Sequence, residues 1–259
     1  MRWSWFFRLF RREHRDPRRE QLRGLQALIG YRFRDEGLLV QALSHRSYAY
    51  ELDQPSLNSN ERLEFLGDAV LNLAVAEYLY GRFREHREGT LTQMKSTMVS
   101  KRVLARRAKE LRLGEYVMLG EAEEASGGRE RTSILGDAYE ALIGAMYLDG
   151  GMHPVRKFLK RYLLYDIDEL LSDDELKNYK SVLLELVQRE GWGHLVYEVQ
   201  REEGPDHRKL FTVEVRVKGR TYGIGQGRGK KRAEQMAARE ALKRLEEKGV
   251  EVSVKVGGA

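Results

Sequence analysis

The hydrophobic residues in the first two thirds of the chain recur every three to four positions, which is the spacing of amphipathic helices. Between residues 21 and 50 this pattern predicts two short helices. Further helical segments are predicted at residues 60–83, 91–111 (as one helix or two), 133–145 and 152–171. Residues 114–132 contain a Ser126-Gly127-Gly128 break and are predicted to be a connection. We therefore expect a helical domain over residues 21–171.

The pattern changes after a short polar linker at residues 172–178. Apolar and polar residues then alternate in three segments, as they do in strands with one buried face. The predicted elements are helices at residues 180–190 and 231–247 and strands at 195–202, 209–217 and 220–224. The order α-β-β-β-α predicts a separate small α+β domain over residues 179–248. Residues 249–259 are predicted to be a frayed tail.

The first 20 residues form a distinct basic and aromatic extension. Its aromatic residues at helical spacing are Trp3, Phe6, Phe7 and Phe10, with arginines between and after them. The apolar run is short and interrupted by arginine, which is unlike a signal peptide. Such a segment suits a membrane surface or an RNA backbone, and a poorly ordered terminus is the simpler interpretation.

One helix carries carboxylates on one side and apolar residues on the other. At 100° per residue, Glu61, Glu64 and Asp68 fall within about 60° of one another. The residues predicted for the opposite, core-facing side are Leu63, Leu66, Val70 and Leu73. Three like charges this close repel unless a cation lies among them. A divalent metal such as Mg²⁺ is the obvious candidate, because hard cations prefer carboxylate oxygens.

A second helix, at residues 133–145, carries another carboxylate pair. Asp137 and Glu140 are three residues apart and share a face, while Gly136 and Gly144 allow another helix to approach closely. If the two helices pack together, their acids could hold two metal ions for phosphodiester hydrolysis. Spacing alone leaves open the alternative that these acids form a solvated helix face.

Other polar residues have simpler interpretations. His45 has no obvious partner and is interpreted as structural rather than as a ligand. Five basic residues in 91–111 are interpreted as a solvated face, some of which could meet phosphate: Lys95, Lys101, Arg102, Arg106 and Arg107.

Composition narrows the functional class. The chain has 259 residues, 41% of them hydrophobic, and no cysteine, which excludes disulfides and thiolate chemistry and suits a reducing cytoplasm. No apolar run approaches the length of a membrane span. The net charge of +6 divides into +4 for residues 1–20, −3 for 21–177 and +5 for 178–259. A basic C-terminal module indicates a polyanionic partner.

The motifs resemble those of the ribonuclease III family. The nine residues Asn60-Glu61-Arg62-Leu63-Glu64-Phe65-Leu66-Gly67-Asp68 are similar to its signature helix. Gly136-Asp137 with Glu140-Ala141 is similar to its second catalytic motif. The C-terminal domain resembles a double-stranded-RNA-binding domain, and the similarity spans about residues 21–247.

The resemblance implies an all-α nuclease domain that cuts both strands of duplex RNA with Mg²⁺, for which Mn²⁺ could substitute. The expected products have 5′-phosphate and 3′-hydroxyl ends with short 3′ overhangs, and the expected substrates include ribosomal RNA precursors and other structured transcripts. By motif position, the metal-binding residues are Glu64, Asp68, Asp137 and Glu140. Asp68 and Glu140 are the catalytic pair among them, and Glu61 is a supporting residue.

The resemblance also implies a cytoplasmic homodimer. Phe65 projects between the acidic and apolar faces of its helix, where a large aromatic ring would be exposed in a monomer, and it is expected to contact the partner subunit.

In the C-terminal domain, the resemblance and the basic charge predict an RNA-binding surface. The predicted contact residues are Ser181, Glu185, Gln188, His207, Lys230 and Lys231. Lys230 and Lys231 open a helix, where backbone N–H groups also favour phosphate. Two residues depart from the family pattern: Leu184 stands where many relatives have Gln, and Gly229 where Ser is usual. We expect Leu184 to weaken or alter sequence preference and Gly229 to have a minor effect.

Two other functions compete with this one. The chain could be a duplex-RNA-binding protein whose nuclease fold no longer cuts, but such a protein would be expected to have lost one of the four acids. It could also be a metal phosphohydrolase that acts on DNA or a small phosphate ester. The RNA-binding module argues against that, because recognition of 2′-hydroxyl groups separates RNA from DNA.

Overall fold

The computed structural model describes residues 17–53, 55–172, 178–205, 208–250 and 252. The predicted N-terminal extension (up to residue 16), most of the linker, His207 and nearly all of the tail lie outside the described residues. Backbone contacts divide the chain into two compact units, one of residues 1–86 and 94–170 and the other of residues 87–93 and 171–259. Each unit is described by itself.

The first unit is built from helices, as the apolar periodicity predicts. The helices are α1 (Pro17–Ile29), α2 (Glu36–Leu43), α3 (Arg46–Glu51), α4 (Glu61–Arg82), α5 (Glu88–Met98), α6 (Lys101–Glu110), α7 (Glu121–Ala125), α8 (Thr132–Gly150), α9 (Met152–Tyr162) and α10 (Ile167–Ser172). The start of α5 and the last two residues of α10 belong to the second unit. Helix α8 is buried from Ile134 to Met146, apart from half-buried Asp137, and packs against α2, α4 and α6.

Helices α4 and α8 cross with their backbones in close contact. A Cβ atom added to Gly67 would lie 1.8 Å from the carbonyl oxygen of Glu140, and one added to Gly144 would lie 2.3 Å from the carbonyl oxygen of Leu63. Only glycine permits this approach, because any side chain would overlap the opposing backbone. The acid-bearing face of α4 is thereby held directly beside Glu140.

The structure corrects several sequence predictions in this unit. Residues 21–50 hold three helices, since Arg46–Glu51 forms α3. The predicted connection at 114–132 contains α7 and two short 3₁₀ turns. Leu73, predicted to face the core, is 60% exposed, whereas Leu63 and Val70 are buried.

The predicted helix at 152–171 is two helices, and Arg107 of α6 explains the break. Its side chain is fully buried, which also corrects its assignment to a solvated face. The guanidinium donates to the Leu163 carbonyl oxygen at 3.4 Å and pairs with Asp166. These groups belong to the turn between α9 and α10, so a distant side chain satisfies the polar groups of the interruption.

The second unit has the predicted α-β-β-β-α order. Its elements are α11 (Tyr179–Arg189), β1 (Leu195–Glu203), β2 (Leu210–Val217), β3 (Arg220–Gly227) and α12 (Lys230–Glu247). The strands form an antiparallel sheet in the order β1-β2-β3. Val213, Val215 and Val217 are buried, as their alternation predicts, and Phe211 on the same face is half-buried. The predicted fold class is confirmed for both units.

Helix α12 packs unusually close to β3. A Cβ atom added to Gly225 would lie 2.1 Å from the backbone nitrogen of Ala237, so glycine is required at this position of the strand. Within the described ranges, no helix is long and apolar enough to cross a membrane.

The α4–α8 crossing yields a stability prediction. Replacing Gly67 by Ala forces the helices apart, so we expect the free energy of unfolding to fall by about 3 kcal/mol. Urea denaturation of the purified protein measures it. Gly81→Ala, near the end of the same helix, is the matched control because nothing lies within 4 Å of the added methyl group. That variant should be unchanged or more stable by up to about 1 kcal/mol. Equal effects of the two substitutions would contradict the close crossing.

Candidate active site

Three acids from α4 and α8 come together at the helix crossing. Glu64, Asp137 and Glu140 each offer a carboxylate oxygen, and these oxygens lie within 4.8 Å of one another. We call these three residues the carboxylate triad. Glu140 is 3% exposed, whereas Glu64 and Asp137 are half-buried. The triad is therefore open on one side and closed by the core on the other.

Two acids of α4 that the sequence predicts for the site, Asp68 and Glu61, lie outside the triad. Asp68 is exposed, and its carboxylate accepts a hydrogen bond of 2.9 Å from the Asn72 side chain one turn further on. Its negative charge nevertheless acts on Glu140. Glu61 is exposed near the start of α4, where it accepts from the Ser59 hydroxyl at 3.2 Å and lies 3.9 Å from Arg46.

Lys101 is the residue that sequence reasoning missed. The sequence assigns it to a solvated basic face, but its ammonium group donates to Glu64 at 3.0 Å and to Glu140 at 2.7 Å, and it also contacts Asp137. The repulsion expected among clustered acids was a valid signal that a cation belongs here. The helical wheel could not show that the chain supplies one itself from α6.

Burial and charge shift the proton affinities of these groups. Burial raises the pKa of Glu140 to about 7; Lys101 opposes this shift, while Asp68 and Glu64 add to it. Burial also raises the pKa of Glu64. Although burial acts in the opposite direction, the three carboxylates raise the pKa of Lys101 above its ordinary value.

The donor set suits a hard divalent cation. All three triad ligands are carboxylates, and Mg²⁺ and Mn²⁺ are bound in proteins by such oxygens together with water. Asp68 adds a further negative charge beside them. Residues from two helices in rigid contact can therefore hold a metal ion with little rearrangement of the backbone.

His45 has a structural role at a nearby backbone junction. Its Nδ1 atom accepts a hydrogen bond from the Ser47 backbone N–H at 3.3 Å and so caps α3. Its own backbone N–H donates to the Met118 carbonyl oxygen at 3.0 Å. The preceding residue, Ser44, accepts from the Asn60 N–H at 2.8 Å, which fixes the start of α4. Burial lowers the pKa of His45, so the neutral, hydrogen-bond-accepting form is favoured.

A row of large apolar residues is exposed along α4. Phe65 is 81% exposed, and Leu73 and Tyr80 on the same side are 60% and 77% exposed. Exposed apolar residues aligned on one helix are typical of a protein–protein contact.

The second unit presents the predicted RNA-binding residues on two helices. Glu185 and Gln188 are exposed on the outer face of α11, together with Leu184, and Ser181 is half-buried. Lys230 and Lys231 are exposed in the first turn of α12, after Gly229 with a φ of 129°. His207, the remaining predicted contact, is outside the described residues.

Comparison with known proteins identifies the family. A family model described as Ribonuclease-III-like matches residues 35–167, and one described as Double-stranded RNA binding motif matches residues 179–245. A Ribonuclease 3 from Pelotomaculum thermopropionicum is 48% identical over 223 residues, which cover 86% of this chain and 92% of that protein. The chain belongs to the ribonuclease III family. The predicted resemblance and enzyme class are thereby confirmed.

Two further relatives agree with this ribonuclease III assignment. A Ribonuclease 3 from Bacillus cereus is 45% identical over 88% of this chain and 93% of that protein. A solved nuclease domain of ribonuclease III from Campylobacter jejuni covers 55% of this chain and 95% of its own, with 39% identity and a TM-score of 0.51. Ribonuclease III enzymes depend on metal, and the carboxylate triad provides candidate ligands for it.

The raised pKa of Glu140 makes the stability of the metal-free protein depend on pH. Its folded-state pKa of about 7 lies above the ordinary 4.5, so its contribution is fully present below pH 4.5 and is lost as the pH rises to 7. Glu140→Gln mimics the protonated form. We expect the variant to match wild type near pH 4.5 and to exceed its unfolding free energy by roughly 2–3 kcal/mol at pH 8.

Denaturation in EDTA across this pH range measures the difference. The control is Glu61→Gln, which removes an exposed carboxylate from the same helix. A pH-independent difference for Glu140→Gln would contradict the burial argument.

Proposed function

We propose that this ribonuclease III is an Mg²⁺-dependent endonuclease that cuts both strands of double-stranded RNA. The observation that carries the proposal is the carboxylate triad at the α4–α8 crossing, with Asp68 beside it. Glu64, Asp68, Asp137 and Glu140 would hold the metal, and Mn²⁺ would substitute for Mg²⁺. The expected products carry 5′-phosphate and 3′-hydroxyl ends with short 3′ overhangs.

When bound, a divalent ion would supply positive charge for the phosphodiester oxygens and lower the pKa of a water molecule. The protein itself fixes the positions of the carboxylates that would hold this ion. The glycine contacts fix the acids of α4 against those of α8 before substrate arrives, so the negative groups need little reorganisation during the reaction. Among these four acids, Glu140 is buried and Asp68 is exposed. We therefore expect Asp68 to lie on the side of the site that faces RNA.

The second unit supports binding to duplex RNA. Lys230 and Lys231 place two positive charges at the N-terminus of α12, where unpaired backbone N–H groups also attract phosphate. The polar residues on the outer face of α11 can reach 2′-hydroxyl groups across a minor groove. Leu184 lies among them and would contribute an apolar contact where a glutamine would offer hydrogen bonds. We propose His207 as a further RNA contact by motif position alone.

We infer further that the enzyme works as a homodimer in which each subunit cuts one strand. The nuclease domain from Campylobacter jejuni is described as structurally flexible in a region involved in its dimer formation. In this chain the exposed Phe65 on α4 is the proposed contact, and burying an aromatic ring of this size is favourable. The proposed substrates are ribosomal RNA precursors and other structured transcripts in the cytoplasm.

Loss of one triad carboxylate should separate cutting from binding. We expect Glu140→Gln to slow Mg²⁺-dependent cleavage of a long RNA hairpin by at least about 100-fold, because one charged ligand is gone. RNA affinity measured in Ca²⁺ should change little, since the phosphate contacts lie in the other unit. Glu61→Gln is the control and should keep most of its activity. Near-normal cleavage by Glu140→Gln would contradict the assignment, and cleavage of DNA hairpins would favour the competing phosphohydrolase.

Lys230 and Lys231, at the start of α12, should contribute to RNA binding through their charge. We expect the Lys230→Ala/Lys231→Ala variant to bind duplex RNA more weakly and to reduce the slope of log affinity against log salt by about 1 to 2. The matched control is Lys243→Ala/Lys248→Ala, which removes the same charge from the opposite end of α12. An equal loss in both variants would show a general charge effect and contradict a local phosphate contact.

A further inference from the structure

The triad already contains a cation from the chain itself. The Lys101 ammonium group lies 3.0 Å from a Glu64 oxygen and 2.7 Å from a Glu140 oxygen, and it also contacts Asp137. One positive charge thus faces three negative ones. Among the described residues, these are the same three acids that form the candidate metal-binding group.

The fold directs Lys101 into this position. It is the first residue of α6, whose start is fixed by the Ser100 hydroxyl accepting a hydrogen bond from the Val103 N–H at 3.4 Å. Its aliphatic stem runs over Gly136, where an added Cβ atom would lie 2.9 Å from the lysine Cδ. The absence of a side chain at Gly136, next to Asp137, therefore leaves room for the stem.

The ammonium group and a metal ion compete for the same space. A Mg²⁺ ion contacts its oxygen ligands at about 2.1 Å and would lie among the carboxylates that now accept from Lys101. Two cations at that separation repel strongly where water is partly excluded. The Lys101 side chain is 43% exposed, so it has an open path along which to withdraw towards solvent.

We infer that Lys101 is a displaceable counter-cation. In the metal-free protein it holds Glu64, Asp137 and Glu140 together, and it must leave before a divalent ion binds them. Lys101 therefore raises the metal concentration at which the site fills. This inference rests on the proposed metal-dependent function and adds a regulatory residue to it.

The size of the effect follows from the fraction of molecules whose triad is free. If Lys101 occupies the triad in about nine molecules of ten, the apparent metal affinity is reduced about tenfold. Removing the ammonium group abolishes this competition. The same removal leaves the acids uncompensated in the metal-free protein, so the two consequences have opposite signs and can be measured separately.

The test is Mn²⁺ binding to the full chain, followed by the electron paramagnetic resonance signal of the free ion. Lys101→Met and Lys101→Gln both remove the charge while keeping a side chain of similar length. We expect both to bind Mn²⁺ about tenfold more tightly than wild type. Lys109→Met is the matched control, because Lys109 is on the same helix but pairs with Glu130 at 2.8 Å. It should bind Mn²⁺ like wild type.

Thermal unfolding in EDTA gives a second readout that does not depend on metal. Lys101→Met should unfold at a lower temperature than Lys109→Met, and saturating Mn²⁺ should raise its unfolding temperature by more than it does for wild type. Mn²⁺ affinity within twofold of wild type in both Lys101 variants would overturn the inference. If wild type and Glu140→Gln bind Mn²⁺ equally, the proposed metal centre itself fails, which is a distinguishable result.

Discussion

The contact between Gly67 of α4 and the backbone of α8 at Glu140 is the constraint on which the nuclease unit depends. It allows two helix backbones to touch without intervening side chains. One consequence is mechanical, because the buried part of α8, from Ile134 to Met146, provides a rigid support. The other is chemical. The same contact places the acids of two helices, which lie some 70 residues apart in the chain, within a few ångströms of one another.

Negative charges at such short separation impose a second constraint. Like charges in a partly dry site cost free energy, and proteins reduce this cost by taking up protons or by adding a cation. Both responses are present here. Glu140 has a pKa raised to about 7, and Lys101 extends from α6 into the triad. In the metal-free protein, the raised pKa of Glu140 and the Lys101 ammonium group therefore reduce the negative charge that a metal ion would otherwise neutralise.

Sequence periodicity was sufficient for the helices and strands because burial of apolar residues determines most of them. It failed where a distant group intervenes. Arg107 binds the Leu163 carbonyl oxygen and the Asp166 carboxylate in the turn that divides residues 152–171. The local sequence pattern gives no indication of this contact. The prediction that Leu73 faces the core was wrong for a related reason. A helical wheel gives the direction of a side chain but not the width of the packed face, and Leu73 lies on an exposed side of α4.

The acids of the site could be predicted from the sequence because their helical spacing and their family motifs indicate the same residues. The role of Lys101 could not, because basic residues on an amphipathic helix usually face solvent and the wheel of α6 contains no information about α8. The packing of α6 against α8 supplies what was missing. Gly136 was interpreted as a helix contact, and in the structure it makes room for the lysine stem.

The most direct measurement is a crystal structure of the full chain grown with Mn²⁺, with the ion located by its anomalous scattering. We expect an anomalous peak among the Glu64, Asp137 and Glu140 carboxylates, with Asp68 beside it and the Lys101 ammonium withdrawn from all three. A peak elsewhere, or a metal ion bound in the triad while Lys101 keeps its contacts, would contradict a metal site for which Lys101 competes.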